Sequence, residues 1–258
     1  MADCITIRTA DDPPVSLVAS RVHLVANSKV FADMVSVASS PNQDAVNVAE
    51  TEKEIQPFLA ILAGEGRGKG GMLQKLDEEG WETLARLGDK YDSPIVLQAV
   101  EIRYWKLTAQ GLAGPLHAFT LASYVGSAEM LQRAAMAAVA VQNRHTHRFG
   151  APQEWKDRLD AWESERSQLA FKLYKEAGRV ARMLASSWPN ETVHDVYASM
   201  LLRSVLDLRM CDKTWDPMAE WKKICDLRAW DGGLSMAKPA LTKVASSWAA
   251  APAFPYGE

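Results

Sequence analysis

The sequence of 258 residues predicts an α+β fold, in which a small sheet near the N-terminus precedes an all-helical region. Apolar residues recur at a spacing of two at Ile5 and Ile7 and again at Val15, Leu17 and Ala19, which is typical of half-buried strands. From Val22 onward the apolar residues recur at helical spacing instead. The second half shows only helical spacing, so the two halves are predicted to differ in structural class.

The two strands are predicted to form a hairpin. The turn between them contains Asp11-Asp-Pro-Pro14, and proline favours a turn because it fixes φ and has no N–H for a strand ladder. The segment that follows is predicted to form two short helices. Asn27 and Ser28 interrupt its apolar spacing, and either side chain can cap the N-terminus of a second helix.

A third strand and three helices are predicted to complete the N-terminal half. The strand covers residues 45–48. Thr51-x-x-Glu54 before an apolar run is the pattern of a capping box and predicts a helix start. Two more helices are expected over 79–92 and 94–108, separated at a proline.

The second half is predicted to consist of helices. Helices are expected over 116–124 and 127–142, and a later apolar stripe carries Trp155 and Trp162 with Arg166 as its exception. The resulting division is a first domain over 1–108, a helical region over 109–250, and a disordered tail over 251–258 that contains two prolines.

The composition excludes several classes of partner. A net charge of −3 and a pI near 6.0 argue against nucleic acid, because phosphate binding needs a concentrated basic field. The most apolar stretch, over 134–141, is too short to span a bilayer, so no membrane partner is predicted. No signal peptide is expected, and three scattered cysteines are typical of a reducing compartment. The sequence therefore predicts a cytoplasmic or nuclear protein.

The sequence contains no recognised catalytic or metal-binding motif. Gly-x-Ser-x-Gly, His-Glu-x-x-His and Cys-x-x-Cys are all missing. The histidines of Asn143-Arg-His-Thr-His-Arg148 have no acidic or cysteine residue beside them, so this cluster is interpreted as the charged end of a helix. We therefore predict no catalytic residue, no metal and no cofactor.

The glycine-rich segment from Gly64 to Gly71 is the basis of the alternative hypothesis. Its Gly66-x-Gly68-x-x-Gly71 matches a dinucleotide fingerprint, which needs a strand before it and a helix after it. The preceding segment is predicted to be helical, and no Ser or Thr follows Lys69. A solvated loop is the favoured interpretation, and a nucleotide-binding enzyme that uses this loop is the alternative.

Several motifs in the first half follow one another in an order typical of a known family. They are Asp3-Cys-Ile-Thr-Ile7, Leu17-x-Ala19-Ser20-Arg21-x-x-Leu24-x-x-x-Ser28-x-x-Phe31-x-x-Met34, Ile55-x-x-Phe58-Leu59-x-x-Leu62 and Leu84-x-x-Leu87-Gly-Asp-Lys-Tyr-Asp92. Together they resemble the BTB/POZ domain over about residues 1–108. Leu17 and Ser20 replace the usual Phe and His. With its helical second half, the chain is most similar to the BTB proteins abundant in fungi.

This resemblance implies a non-enzymatic protein–protein interaction module that forms a homodimer. It implies a dimer contact through the N-terminal strand and the first helix, around Val22, Val25 and Ala26. It also implies a charged pair, Asp3 and Arg21, in a pocket beside the interface.

Relatives of this kind often serve as substrate adaptors of cullin-based ubiquitin ligases. They contact the cullin through an apolar-x-Glu motif in the loop before the third strand, and the corresponding loop, 36–44, contains no Glu. An adaptor role with a cullin scaffold is therefore an expectation from the resemblance alone. Any further protein partner is expected to bind the helical second half.

Overall fold

The computed structural model describes residues 4–37, 45–65, 71–139, 141 and 149–185, together with 242–243, 246–247, 250–251 and 253–255. The chain divides into two compact units, Met1–Pro152 and Gln153–Glu258. In the ranges described, no helix is both long and apolar enough to cross a membrane.

The first unit is a small sheet surrounded by helices. Its described elements are β1 (Cys4–Arg8), β2 (Ser16–Ser20), α1 (Arg21–Asn27), α2 (Lys29–Val37), β3 (Ala45–Asn47), α3 (Glu52–Leu62), α4 (Glu78–Lys90), α5 (Pro94–Ala109), α6 (Pro115–Val125) and α7 (Ala128–Val139). A single 3-10 turn, Met72–Gln74, precedes α4. The predicted α+β class is confirmed, and the elements follow the predicted order.

The three strands have the order β2-β1-β3. Strand β2 is antiparallel to β1, with Ile7 opposite Leu17, and β3 is parallel to β1. Ile5 and Ile7 are fully buried, so one face of the sheet covers the core. Strand β2 lies at an edge, and no other strand among the described residues pairs with its outer side.

Helices α1 and α2 meet at Ser28, where the sequence predicts a corner. The Ser28 hydroxyl oxygen accepts from the Phe31 N–H (3.1 Å), which caps α2, and the same hydroxyl donates to the Tyr91 carbonyl (2.6 Å). Ser93 donates to the Asn27 carbonyl (2.7 Å). The corner between α1 and α2 is therefore fixed against the corner between α4 and α5, which explains why Ser28 is buried.

An aromatic cluster forms the centre of the core next to this corner. The Phe31 and Tyr91 rings are stacked with centroids 4.7 Å apart, and Phe58 lies 5.3 Å from Tyr91. The predicted capping box at the start of α3 is present, because the Glu54 carboxylate accepts from the Thr51 N–H (3.0 Å). This cap fixes the first turn of the helix that carries Phe58.

Helices α6 and α7 pack within the same unit as α4 and α5. Helix α6 contacts both α4 and α5, and the Tyr104 hydroxyl of α5 donates to the Met130 carbonyl of α7 (3.2 Å). Gly126 ends α6 with a φ of 73°, a conformation that favours glycine. The predicted domain boundary at 108–109 falls at the last residue of α5, and independent folding of 1–108 stays a prediction.

The second unit is described mainly by one helix, α8 (Gln153–Ala185). Its buried Trp162 lies edge-on to Phe254 (5.4 Å), and Arg166 covers the Trp162 ring at 4.8 Å. Within the segment 251–258, for which the sequence predicts a disordered tail, Ala251 and Phe254 are buried. The helices predicted between 186 and 241 lie outside the described residues.

Candidate interaction site

The predicted dimer contact consists of the N-terminal strand and the first helix. The N-terminal strand, β1, is paired on both sides, with β2 and β3, so it offers no free edge for this contact. The three predicted apolar residues of α1 face solvent. Val22 is 60% exposed and Val25 is 44% exposed, and Ala26 is also exposed. Arg21 is half-buried. Asp3 lies outside the described residues, so its pairing with Arg21 stays a prediction.

The short helix α1 separates its apolar residues between two faces. Leu24 is its one buried residue and is 1% exposed. Positions 22, 25 and 26 are related by steps of three and four residues, so they share the helix face opposite Leu24. The Ser20 side chain starts the helix by accepting from the His23 N–H (3.5 Å). Local sequence therefore determines which apolar side chains of α1 remain outside the core.

Strand β2 adds an exposed valine that the sequence interpretation did not select. Val18 is 75% exposed and lies opposite Thr6. Strand alternation was the available signal, since Val18 is out of phase with Leu17 and Ala19, which lie on the core side. We call Val18, Val22, Val25 and Ala26 the β2–α1 surface.

An open cleft of about 390 Å³ lies beside this surface. Strand β2 and α1 form one wall through residues such as Leu17 and His23, and α3 forms the other through Leu59 and Ala60. All five side chains of β2 are uncharged. An apolar or neutral polypeptide can therefore approach the outer edge of β2 without desolvating a charged side chain of that strand.

A buried acidic group was missed by the sequence interpretation. Glu50, which is 2% exposed, accepts from Lys90 Nζ (2.5 Å) and from the Tyr91 hydroxyl (2.5 Å). Burial opposes ionisation, but these hydrogen bonds and the Lys90 charge lower the pKa of Glu50 below its ordinary value. Burial, with the bond to Glu50, raises the pKa of Tyr91. The cluster connects the segment before α3 to the end of α4, and this structural link accounts for the buried carboxylate.

A second polar pair connects α4 to α6. His117 Nδ1 lies 2.9 Å from Glu82 Oε1, and His117 is buried. Gly150 packs closely against this pair, because a Cβ there would lie 2.5 Å from Glu82 Oε2. In the part of the chain that the structure describes, no three His, Cys, Asp or Glu side chains converge as a metal site.

The glycine-rich loop has helices on both sides where it is described. Residues 66–70 lie outside the described residues. The element before the loop is α3, and the elements after it are the 3-10 turn and α4. The dinucleotide fingerprint requires a strand at the position that α3 occupies. The loop therefore lacks the structural context on which the nucleotide hypothesis depends.

Comparison with known proteins gives no match to any family model, curated protein or solved structure. The resemblance to BTB/POZ domains therefore depends on the motifs and on the order of elements described above.

Proposed function

We propose that this chain is a non-enzymatic protein–protein interaction module of the BTB/POZ type, which forms a homodimer through the β2–α1 surface. The observation that carries the proposal is the exposure of Val18, Val22 and Val25 on two consecutive elements of a well-packed unit.

The order of elements supports the family assignment. A hairpin, two short helices that meet at Ser28, a third strand and a third helix follow one another as the resemblance implies. Phe31 of the Leu17–Met34 motif and Tyr91 of the Leu84–Asp92 motif stack in the core. The residues that carry the resemblance are thus also residues that build this unit.

The exposed valines supply a physical reason for association. Complete burial of a fully exposed valine side chain is worth roughly 1.5–3 kcal/mol. The three valines of the β2–α1 surface are 75%, 60% and 44% exposed, so each contributes a corresponding fraction of that value. A symmetric two-fold contact brings the same surface from both copies together, which doubles the buried apolar area for each residue used. Dimerisation is therefore the simplest way to remove this surface from water.

The remaining partners follow from the family resemblance. In this proposal Asp3 and Arg21 form a charged pair beside the interface, and the helical second half binds a further protein. A cullin scaffold remains an expectation from the resemblance, since the apolar-x-Glu motif is missing from the sequence of the 36–44 loop.

Size-exclusion chromatography with light scattering tests the proposal on the full chain. We expect a mass of twice 28.4 kDa at micromolar concentration. A Val22→Asp/Val25→Asp variant should shift to the mass of one chain, because the contact would then bury carboxylates from both copies without a compensating charge. Val37 offers a matched control, since it is 84% exposed and is the last residue of α2, outside the β2–α1 surface.

Val37→Asp should leave the dimer intact. A native chain that is monomeric at micromolar concentration would contradict the proposal. So would a Val22→Asp/Val25→Asp variant that dimerises as strongly as the native chain.

A further inference from the structure

We propose that the two copies pair through their β2 strands, antiparallel and centred on Val18, to form one continuous six-stranded sheet. This inference rests on the proposed homodimer and specifies its geometry.

The direction of the β2 backbone groups follows from the hairpin hydrogen bonds. The Thr9 N–H donates to the Val15 carbonyl (3.0 Å), so this opposite pair is a hydrogen-bonded pair. Such pairs alternate along an antiparallel ladder, so Leu17 and Ala19 also direct their backbone groups towards β1. The Arg8 carbonyl accepts from the Val48 N–H on the β3 side (2.9 Å). Arg8 therefore directs its backbone groups away from β2, as the alternation requires for the residue opposite Ser16. Ser16, Val18 and Ser20 therefore direct their backbone groups to the outer edge.

The register centred on Val18 pairs outward backbone groups of the two copies symmetrically. It places Val18 opposite Val18 of the second copy, and Ser16 opposite Ser20. The two Val18 residues exchange N–H···O bonds, and each Ser20 N–H reaches the opposing Ser16 carbonyl, which gives four backbone hydrogen bonds. Val18 is the middle residue of β2 and directs its backbone groups outward, so it is a suitable centre for a two-fold axis.

The side chains favour a second copy as the occupant of this edge. Exposed edge strands are commonly protected by charged residues or proline, whereas β2 reads Ser-Leu-Val-Ala-Ser and has neither. A strand without charge is compatible with itself, since pairing two copies brings no like charges together. The pairing also places the two exposed Val18 side chains next to each other on one face of the sheet. Among the residues that the structure describes, the cleft between β2 and α3 leaves the approach to the edge open.

Disulfide crosslinking measures the register directly. In a hydrogen-bonded antiparallel pair the Cα atoms are about 5.5 Å apart, which is within the range of a disulfide. Val18→Cys is introduced in a background in which Cys4, Cys211 and Cys225 are replaced by Ser. Under mild oxidation we expect most of this variant to form an intermolecular disulfide.

Ser16→Cys in the same background is the matched control. It is exposed and lies on the same strand, but its two copies would be about four residues apart along the ladder, beyond the reach of a disulfide. It should remain uncrosslinked. Equal crosslinking of both variants would overturn the register.

Proline substitution gives an independent test. Val18→Pro removes an outward N–H and should abolish the dimer while the monomer stays folded, because proline is tolerated on an edge with its N–H side outward. If light scattering shows a dimer but Val18→Cys does not crosslink, or Val18→Pro still dimerises, strand pairing is wrong and the proposed dimer stands. If the native chain is monomeric, both proposals fail.

Discussion

Glu50 is a buried acidic residue of the first unit, and its charge is compensated by neighbouring hydrogen-bond donors. Its carboxylate lies between Lys90 and the Tyr91 hydroxyl, and Arg86 Nη1 approaches to 4.0 Å. A carboxylate removed from water is costly unless its lone pairs find donors. Here two short charge-assisted bonds supply them, so the group stabilises the fold as long as both donors remain.

Glu50→Gln should therefore destabilise the protein by roughly 1–3 kcal/mol, because it weakens the hydrogen bonds to Lys90 and Tyr91. Urea denaturation followed by circular dichroism measures the change. Glu129→Gln is the matched control: Glu129 pairs with Arg133 at 2.9 Å with both side chains 64% exposed. Such a surface pair should contribute less than about 1 kcal/mol. Equal losses for the two variants would contradict this account.

The same residue predicts how stability depends on pH. The pKa of Glu50 is lowered in the folded state, so its contribution is present above the ordinary value of 4.5. It is lost as the pH falls through the folded-state value. The difference in unfolding free energy between the native chain and Glu50→Gln should shrink below about pH 4.5. A difference that stayed constant down to pH 3 would count against the ionised cluster.

Single residues differ in how well the sequence predicts them. The capping role of Glu54 follows from a four-residue pattern and is confirmed. The burial of Glu50 depends on Lys90 and Tyr91, forty residues later, and no local pattern reports that contact. Local hydrogen bonds can be predicted from spacing, whereas long-range ones require the packed fold.

Among elements, α4 and α5 pack closely against each other at Gly88. A Cβ at this position would lie 2.8 Å from Leu97 Cδ2 and 3.2 Å from Val96 Cγ1. Gly88 therefore allows α5 to fold back against α4 directly after the corner at Ser93, whose N–H donates to the Gly88 carbonyl (2.8 Å).

Gly88→Ala should destabilise the chain even though alanine is the better helix former. The gain in helix propensity is about 1 kcal/mol, and overpacking costs roughly 1–3 kcal/mol. Removing the clashing side chain with Leu97→Ala should recover part of that loss, so the double variant should be more stable than the sum of the single variants implies. Strictly additive losses in urea denaturation would show that the contact with Leu97 is not the cause.

Helix boundaries follow from the sequence more directly than strand order does. The corner at Ser28 and the break before Pro94 are marked by capping and proline signals, and both are confirmed. The position of β3 beside β1 depends on contacts across forty residues, so hydrophobic alternation alone cannot give the order β2-β1-β3.

At the level of the whole molecule, the central question is whether the β2–α1 surface is covered by another chain. Helical spacing of apolar residues is the same in a core and in an interface. The sequence therefore identifies Val22 and Val25 as apolar positions, but their exposure becomes known only when Leu24 is seen to fill the core.

The alternative hypothesis, a nucleotide-binding enzyme that uses the Gly64–Gly71 loop, predicts that the chain binds ATP or NAD. Because α3 stands where a nucleotide fold needs a strand, we expect no saturable heat when ATP or NAD is titrated into the protein in a calorimeter. Lys69→Ala should behave identically to the native chain. Saturable binding that is lost in Lys69→Ala would instead favour an enzyme.

Sedimentation equilibrium of the full chain tests self-association most directly. The account predicts a mass of twice 28.4 kDa for the native protein and of 28.4 kDa for Val22→Asp/Val25→Asp. A native mass of 28.4 kDa across the micromolar range would contradict it.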